Sequence, residues 1–241
     1  MNILDEIPHI YIGSCVKEKE ERIVSLMKTL GIRRYTVIHT ERIKPGRVGC
    51  WNCHRMMAKQ AIEDGRDIYI TLEEASTATD NFSFEAILDC RRTLEKNREI
   101  GLIMLSRYYA QPLDVSKVKI SNYVWMNYMR KVENTQAMML TKEFGKFILD
   151  CNLKEKGIAI DNYLASIGRS RVFCYPSCFR RIEGMKSLTT PKSNTKFFIP
   201  EDFVRRKKVY NILEYVNQNS LIVYVGVIIL SIVYFLLIYV N

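Results

Sequence analysis

The chain of 241 residues carries 36 Lys plus Arg against 26 Asp plus Glu, a formal net charge of +10, with 48% hydrophobic residues, 11 Gly and 6 Pro. That length holds one sizeable domain and is too short for two large ones. The composition excludes a mainly disordered, collagen-like or low-complexity chain.

Residues 8–13 (PHIYIG) make a short apolar strand candidate. In the KEKEERIVSLMKTLG that follows, Ile23, Leu26, Met27 and Leu30 fall at helical spacing, with Gly31 at the stop. RRYTVIHT (33–40) reads as a second strand. After Pro45 and Gly46, VGCWNCHRMMAKQAIEDG predicts a helix to Glu63, punctuated by Gly65. DIYITLEE (67–74) is a third strand, with Ile68, Ile70 and Leu72 on one face and Glu73 and Glu74 at its carboxyl end.

NFSFEAILDCRRTLEKN (81–97) predicts a further helix, and GLIMLSRYY (101–109) a buried strand. Residues 117–131 look like strands or a hairpin, 141–151 like a helix capped by Thr141, and RVFCYPS (171–177) like a last strand. Alternation of this kind argues for an α/β fold with a mostly parallel central sheet. Residues 1–182 form the expected domain, and 183–219 a polar, basic linker and membrane approach.

Residues 220–241 are the expected anchor. From Leu221 to Val240 the chain has no charge, and twenty helical residues at roughly 1.5 Å each span about 30 Å of hydrocarbon. A buried core helix is the other reading of such a run. Asp5 and Glu6 stand where a signal peptide would be basic, and Arg205, Arg206, Lys207 and Lys208 precede the span. Both features predict a single-pass, C-terminally anchored protein with a cytosolic N-terminal domain. Seven cysteines, an odd number facing a reducing compartment, argue against structural disulfides.

In open α/β sheets, ligands bind outside the carboxyl ends of the strands, which makes Glu73 and Glu74 the first candidates for chemistry. They would hold a divalent cation, or be no more than a solvated strand end. Cys50-Trp51-Asn52-Cys53-His54 matches the short haem-attachment signature, but that chemistry belongs to exported, oxidising settings. A zinc site joining Cys50, Cys53 and His54 to Cys174 and Cys178 has suitable ligands but widely separated halves.

Several motifs in order resemble glycosyltransferase family 25, the group of lipooligosaccharide and collagen galactosyltransferases. The opening strand and charged helix are similar, as is Gly49-Cys50-Trp51-Asn52-Cys53-His54 to the family's Gly-Cys-x-x-Ser-His helix start. Leu72-Glu73-Glu74-Ala75 resembles its Leu-Glu-Asp-Asp strand end, and Thr135 to Thr141 its Thr-x-Ala-Tyr segment. Ala159-Ile160-Asp161-Asn162-Tyr163-Leu164 is similar to its Pro-(Ile/Val)-Asp-x-x-Leu motif, and Tyr175-Pro176 to a later strand end. The resemblance covers residues 8–180.

It implies a GT-A type nucleotide-sugar-binding fold and transfer of a hexose from a UDP-sugar, with inversion, to a glycan, lipid or protein acceptor. It also implies Mn²⁺ or Mg²⁺ on Glu73 and Glu74, donor contacts from Gly49, His54 and Glu73, and Asp161 as general base. A packed, satisfied histidine and a helix N-cap are the plain alternatives for His54 and Asp161. The sequence departs from the family at Ala75, where an acidic residue is missing, and at Glu74, where Glu replaces Asp. The missing carboxylate opens a second reading, an inactive membrane scaffold of the same fold. A third, nucleic-acid binding, would use the positive charge with Tyr108, Tyr109, Tyr123 and Tyr128. The scatter of the cations along the chain argues against it, and no specific nucleic acid is expected.

Overall fold

The computed structural model describes residues 3–106, 117–127, 135–151, 158–166 and 172–182. In chain order the elements are α1 (Ile3–Glu6), β1 (His9–Ser14), α2 (Lys17–Thr29), β2 (Tyr35–His39), α3 (Gly46–Glu63), β3 (Ile68–Glu73), β4 (Ser76–Ala78) and α4 (Phe84–Lys96). Then come β5 (Leu102–Met104), β6 (Lys117–Lys119), β7 (Val124–Asn127), β8 (Ala137–Thr141), α5 (Lys142–Asp150), α6 (Ile160–Ser166), β9 (Val172–Cys174) and β10 (Phe179–Arg181).

Eight strands form one sheet in the order β2-β1-β3-β8-β5-β9-β7-β6. β1 pairs in parallel with β2 and β3, and β5 with β9, whereas β8 runs antiparallel to both β3 and β5, and β7 to β9. β2, β1, β3, β5 and β9 therefore share one direction, as the alternation of strands and helices predicts. β8 is the exception at the centre, and no sequence signal marked it as a strand. β4 and β10 make a separate antiparallel pair.

The sheet is covered on both faces. Successive strand residues point to opposite sides, so Ile10, Ile12, Ile70, Leu72 and Met139 join the core beneath α2 and α4, with Ile23, Met27, Ile87 and Leu94. Tyr11, Tyr69, Met138 and Leu140 pack on the other side with Trp51 and Met57 of α3, Phe144 and Ile148 of α5, and Ile160 and Leu164 of α6. Burial on two faces explains why the central strands read as continuous apolar runs.

Local chemistry sets the boundaries. Ser83 accepts the Ala86 N–H ahead of α4, and Thr141 accepts the Phe144 N–H ahead of α5, as its sequence position predicts. Gly31 and Gly65, at φ +70 and +69, turn the chain after α2 and α3. The strand expected over 101–109 is regular at Leu102–Met104, and Ser106 bridges to Phe179. The strand expected over 171–177 ends at Cys174, because Pro176 has no N–H with which to continue a ladder.

Tyr123 packs against the core and its hydroxyl lies 3.5 Å from Glu85 Oε2, the behaviour of a packing tyrosine. Tyr108, Tyr109 and Tyr128 lie outside the described residues, as does the apolar run 221–240. Among the described residues, no helix is long and apolar enough to cross a membrane.

Candidate functional site

Because β1, β2 and β3 are parallel, their carboxyl ends open on one side of the molecule, where α3 begins and the antiparallel β8 enters the sheet. A cavity of about 260 Å³ lies there. Its wall takes Gly13 and Cys15 from the end of β1, residues 40–44, 46 and 47 from the loop and the start of α3, and Glu73 to Ala75 from the end of β3. Thr135 and Gln136, Asp161 of α6 and Arg181 of β10 complete it. All five sequence candidates, Gly49, His54, Glu73, Glu74 and Asp161, line this cavity.

Glu73 and Glu74 have different surroundings. The Glu73 N–H donates to Gln136 beside β8, and the Glu74 N–H to Gly13 of β1, so pleated alternation sends the two side chains apart. Glu73 turns toward α3, where its Oε1 accepts from Thr135 Oγ1 at 2.9 Å, lies 3.3 Å from His54 Nε2 and 3.7 Å from Cys50 Sγ. Burial pushes the Glu73 carboxyl up, but His54, Thr135 and Arg181 together outweigh it and hold the group below the ordinary carboxylate range.

Glu74 turns toward α2. Its Oε2 accepts from Ser14 Oγ at 2.9 Å and from the N–H groups of Cys15 and Val16 at 2.7 and 3.0 Å, and Lys19 Nζ lies 3.3 Å from Oε1. Val16 precedes α2 and offers no side-chain cap of its own. Glu74 therefore neutralises the start of a helix, where a negative charge is favoured. Its oxygens are occupied within the protein, in contrast to the cation-holding pair expected from sequence.

His54 is 1% exposed. Its ring is packed between helix and sheet, as the plain alternative expects, and its Nε2 faces Glu73. Cys50, one helical turn before it, presents its thiol to the same carboxylate. Burial first, then the Glu73 charge, push the Cys50 and Cys53 thiols up, Cys53 to about 12. A Cβ on Gly13 would lie 2.0 Å from Cys53 Sγ, so the glycine ending β1 lets α3 approach the sheet. A Cβ on Gly49 would lie 3.2 Å from the Ile43 carbonyl oxygen. Gly49 thus lets the loop over residues 40–45 fold against the first turn of α3.

Asp161 lies in the first turn of α6 rather than ahead of it, and its Oδ1 accepts the Asn162 N–H at 2.8 Å. Trp51 Nε1 donates to the Ile158 carbonyl at 3.0 Å, tying this segment to α3. Burial raises the Asp161 carboxyl above its ordinary value, with a further contribution from the Glu73 charge.

The cations of the wall were not singled out by sequence reasoning. Arg42, Lys44 and Arg47 come from the loop and the first turn of α3, Lys19 from α2 and Arg181 from β10. The stretch ERIKPGR directly after a strand was a readable signal for the first three. Nothing local marked Arg181, which arrives through β4–β10 pairing. Cys174 and Cys178, whose sulfurs are 3.7 Å apart, lie in the core under α4, on the face of the sheet opposite Cys50 and Cys53. The four-cysteine zinc site is therefore not assembled.

The donor set fits Mn²⁺ or Mg²⁺ poorly. These hard ions take oxygen ligands, yet Glu74 is engaged with α2, position 75 is alanine, and Glu73 is gathered with a thiol and an imidazole, its one neighbouring hydroxyl, that of Thr135, donating to it.

No protein-family model and no curated protein matches the chain. Among solved structures, protein A197 from STIV is 14% identical, with a TM-score of 0.39 over 69% of this chain and 80% of that one. A UDP-glucose pyrophosphorylase complexed with UDP-glucose is 10% identical, with a TM-score of 0.40 over 74% and 77%. A glycosyltransferase involved in glycosylation of the major capsid of PBCV-1 is 12% identical, with a TM-score of 0.40 over 74% and 95%. At these scores each likeness is one of loose chain course.

Proposed function

We propose that this protein is a membrane-anchored glycosyltransferase that moves a hexose, galactose or glucose, from a UDP-sugar to a glycan, lipid or protein acceptor. The observation that carries the reading is the composition of one cavity at the carboxyl ends of three parallel strands. A basic loop, a helix start and the carboxylates Glu73 and Asp161 all line it. The ordered motif resemblance over residues 8–180 agrees with it.

In this reading Arg42, Lys44 and Arg47, with the first N–H groups of α3, take the diphosphate. Asp161 removes the proton of the acceptor hydroxyl as its oxygen attacks the anomeric carbon. The bond from that carbon to the phosphate oxygen breaks, and UDP leaves with the electron pair. The cations hold the charge that develops on the leaving group, the contribution most enzymes of such chemistry need most. His54 and Thr135 keep Glu73 ionised and in place. Residues 221–240 serve as the anchor, with Arg205 to Lys208 on the cytosolic side.

Two observations favour a second reading, an inactive scaffold of the same fold: Ala75 supplies no carboxylate, and that of Glu74 is spent on α2. One experiment separates them. The full chain, solubilised in detergent, is incubated with a panel of UDP-sugars, with and without divalent cations, and followed by thermal unfolding and UDP release. Stabilisation with release supports the transferase. Stabilisation without release in the presence of glycan, lipid and protein acceptors supports the scaffold, and no response to any UDP-sugar removes both.

A further inference from the structure

We infer that Cys50, His54 and Glu73 form a binding site for a borderline-soft divalent cation of the zinc class. The inference goes beyond the transferase reading and stands on geometry that does not depend on it.

The three ligand atoms lie within 4.8 Å of one another, with His54 Nε2 3.3 Å and Cys50 Sγ 3.7 Å from Glu73 Oε1. A tetrahedral zinc ion, bound at about 2.1 Å to nitrogen and oxygen and about 2.3 Å to sulfur, sets its N and O ligands about 3.4 Å apart and its S and O ligands about 3.6 Å apart. The two separations from Glu73 Oε1 match that edge length. Cys50 and His54 are one turn apart on α3, so a single rigid helix fixes thiol against imidazole. Thr135 Oγ1 donates to the same carboxylate oxygen at 2.9 Å and so helps to orient it.

A thiol, an imidazole and one carboxylate select zinc-like ions over magnesium or manganese. All three residues line the cavity, so the fourth coordination position is left to water or to an oxygen of whatever the cavity holds. Entry of the ion sends the Cys50 thiol proton to solvent and places the His54 proton on Nδ1. That atom is buried without a hydrogen-bond partner among the described residues. Lack of such an outer partner weakens metal sites by about tenfold to hundredfold, which predicts an exchangeable ion rather than a permanently held one.

The test titrates the metal-free full chain in detergent with Co²⁺, then displaces it with Zn²⁺, in the absence of any sugar nucleotide. The expected result is a tetrahedral cobalt spectrum with a sulfur-to-metal charge-transfer band at one equivalent, bleached by Zn²⁺. Cys50→Ser removes the band and Glu73→Gln weakens Zn²⁺ binding by more than about tenfold, both with the circular dichroism of the parent. Cys53→Ser keeps the band. A weak octahedral spectrum, or a band that survives Cys50→Ser and disappears in Cys53→Ser, overturns the assignment. Failure of the UDP-sugar experiment leaves this result untouched, and the reverse also holds.

Discussion

Glu74 accepts the backbone N–H of Val16 at 3.0 Å, so a residue from the end of one strand caps a helix whose N-cap residue lies 58 positions earlier in the chain. The same oxygen takes Ser14 and the Cys15 N–H, and the other oxygen faces Lys19. Removing the carboxylate leaves two N–H donors and a lysine without their acceptor at a nearly buried position. Glu74→Ala is expected to cost about 2–3 kcal/mol, read as a lower midpoint in denaturant unfolding. Cobalt binding should be unchanged when folded protein is compared. A stable variant that has lost metal would place Glu74 among the ligands instead.

Gly145 in α5 sits where a Cβ would be 2.5 Å from Tyr69 Oη, and Tyr69 is fully buried in β3. A ring in the core cannot swing away, so Gly145→Ala should destabilise by about 1–3 kcal/mol despite the better helix propensity of alanine. The Tyr69 hydroxyl has no hydrogen-bond partner among the described residues, so Tyr69→Phe alone is expected to be nearly neutral. The double variant should recover the loss, because the new methyl group then meets a ring carbon at 3.4 Å. Additive single effects in that cycle would show that the clash is relieved elsewhere.

Tyr11 donates to Asp64 Oδ2 at 2.6 Å. Burial and this bond push the tyrosine up to about 12, and the same bond, with Gln60, holds the aspartate below its ordinary value. The depressed aspartate lends stability that is present above the unfolded-chain value of about 3.9 and lost as pH falls through the folded one. The raised tyrosine lends stability present below about 10 and lost as pH rises through the folded value. The stability difference between the parent and Tyr11→Phe should therefore be flat from about pH 5 to 9 and shrink at both ends. A difference constant down to pH 2 would mean that the bond has no electrostatic part.

Asp161 is raised by burial and by the Glu73 charge, against the opposing Asn162 N–H. A general base works ionised, so transfer should fade as pH falls through a value above the usual aspartate range of about 3.9. Asp161→Asn is expected to lower kcat by about 10²–10⁴ with little change in UDP-sugar affinity. Glu73→Gln, assayed with chelator present, should move the acid limb to lower pH by removing the neighbouring charge. A limb that stays in place in this variant would separate Asp161 from the observed titration.

The α/β character was readable because buried strands and amphipathic helices leave periodicity in the chain, as in residues 8–13, 17–31 and 67–72. Caps were readable for the same local reason, Thr141 ahead of α5 being one. β8 was not, since AMMLT is too short to declare itself and its direction depends on which neighbours it meets. β10 and Arg181 escaped notice because a three-residue strand takes its place only by pairing with β4.

The sequence by itself pointed to part of the cavity wall: Glu73 and Glu74 follow from a strand end and His54 from a helix start, which are local properties of the chain, and Gly49 and Asp161 from the motif resemblance. Tertiary structure alone decided what each does there. Only the pairing of β3 between β1 and β8 sends Glu73 to the α3 thiol and imidazole and Glu74 to the start of α2. Two adjacent glutamates look alike in sequence, but pleating places them on opposite faces, where neighbours distant in the chain assign one to the cavity and the other to a helix.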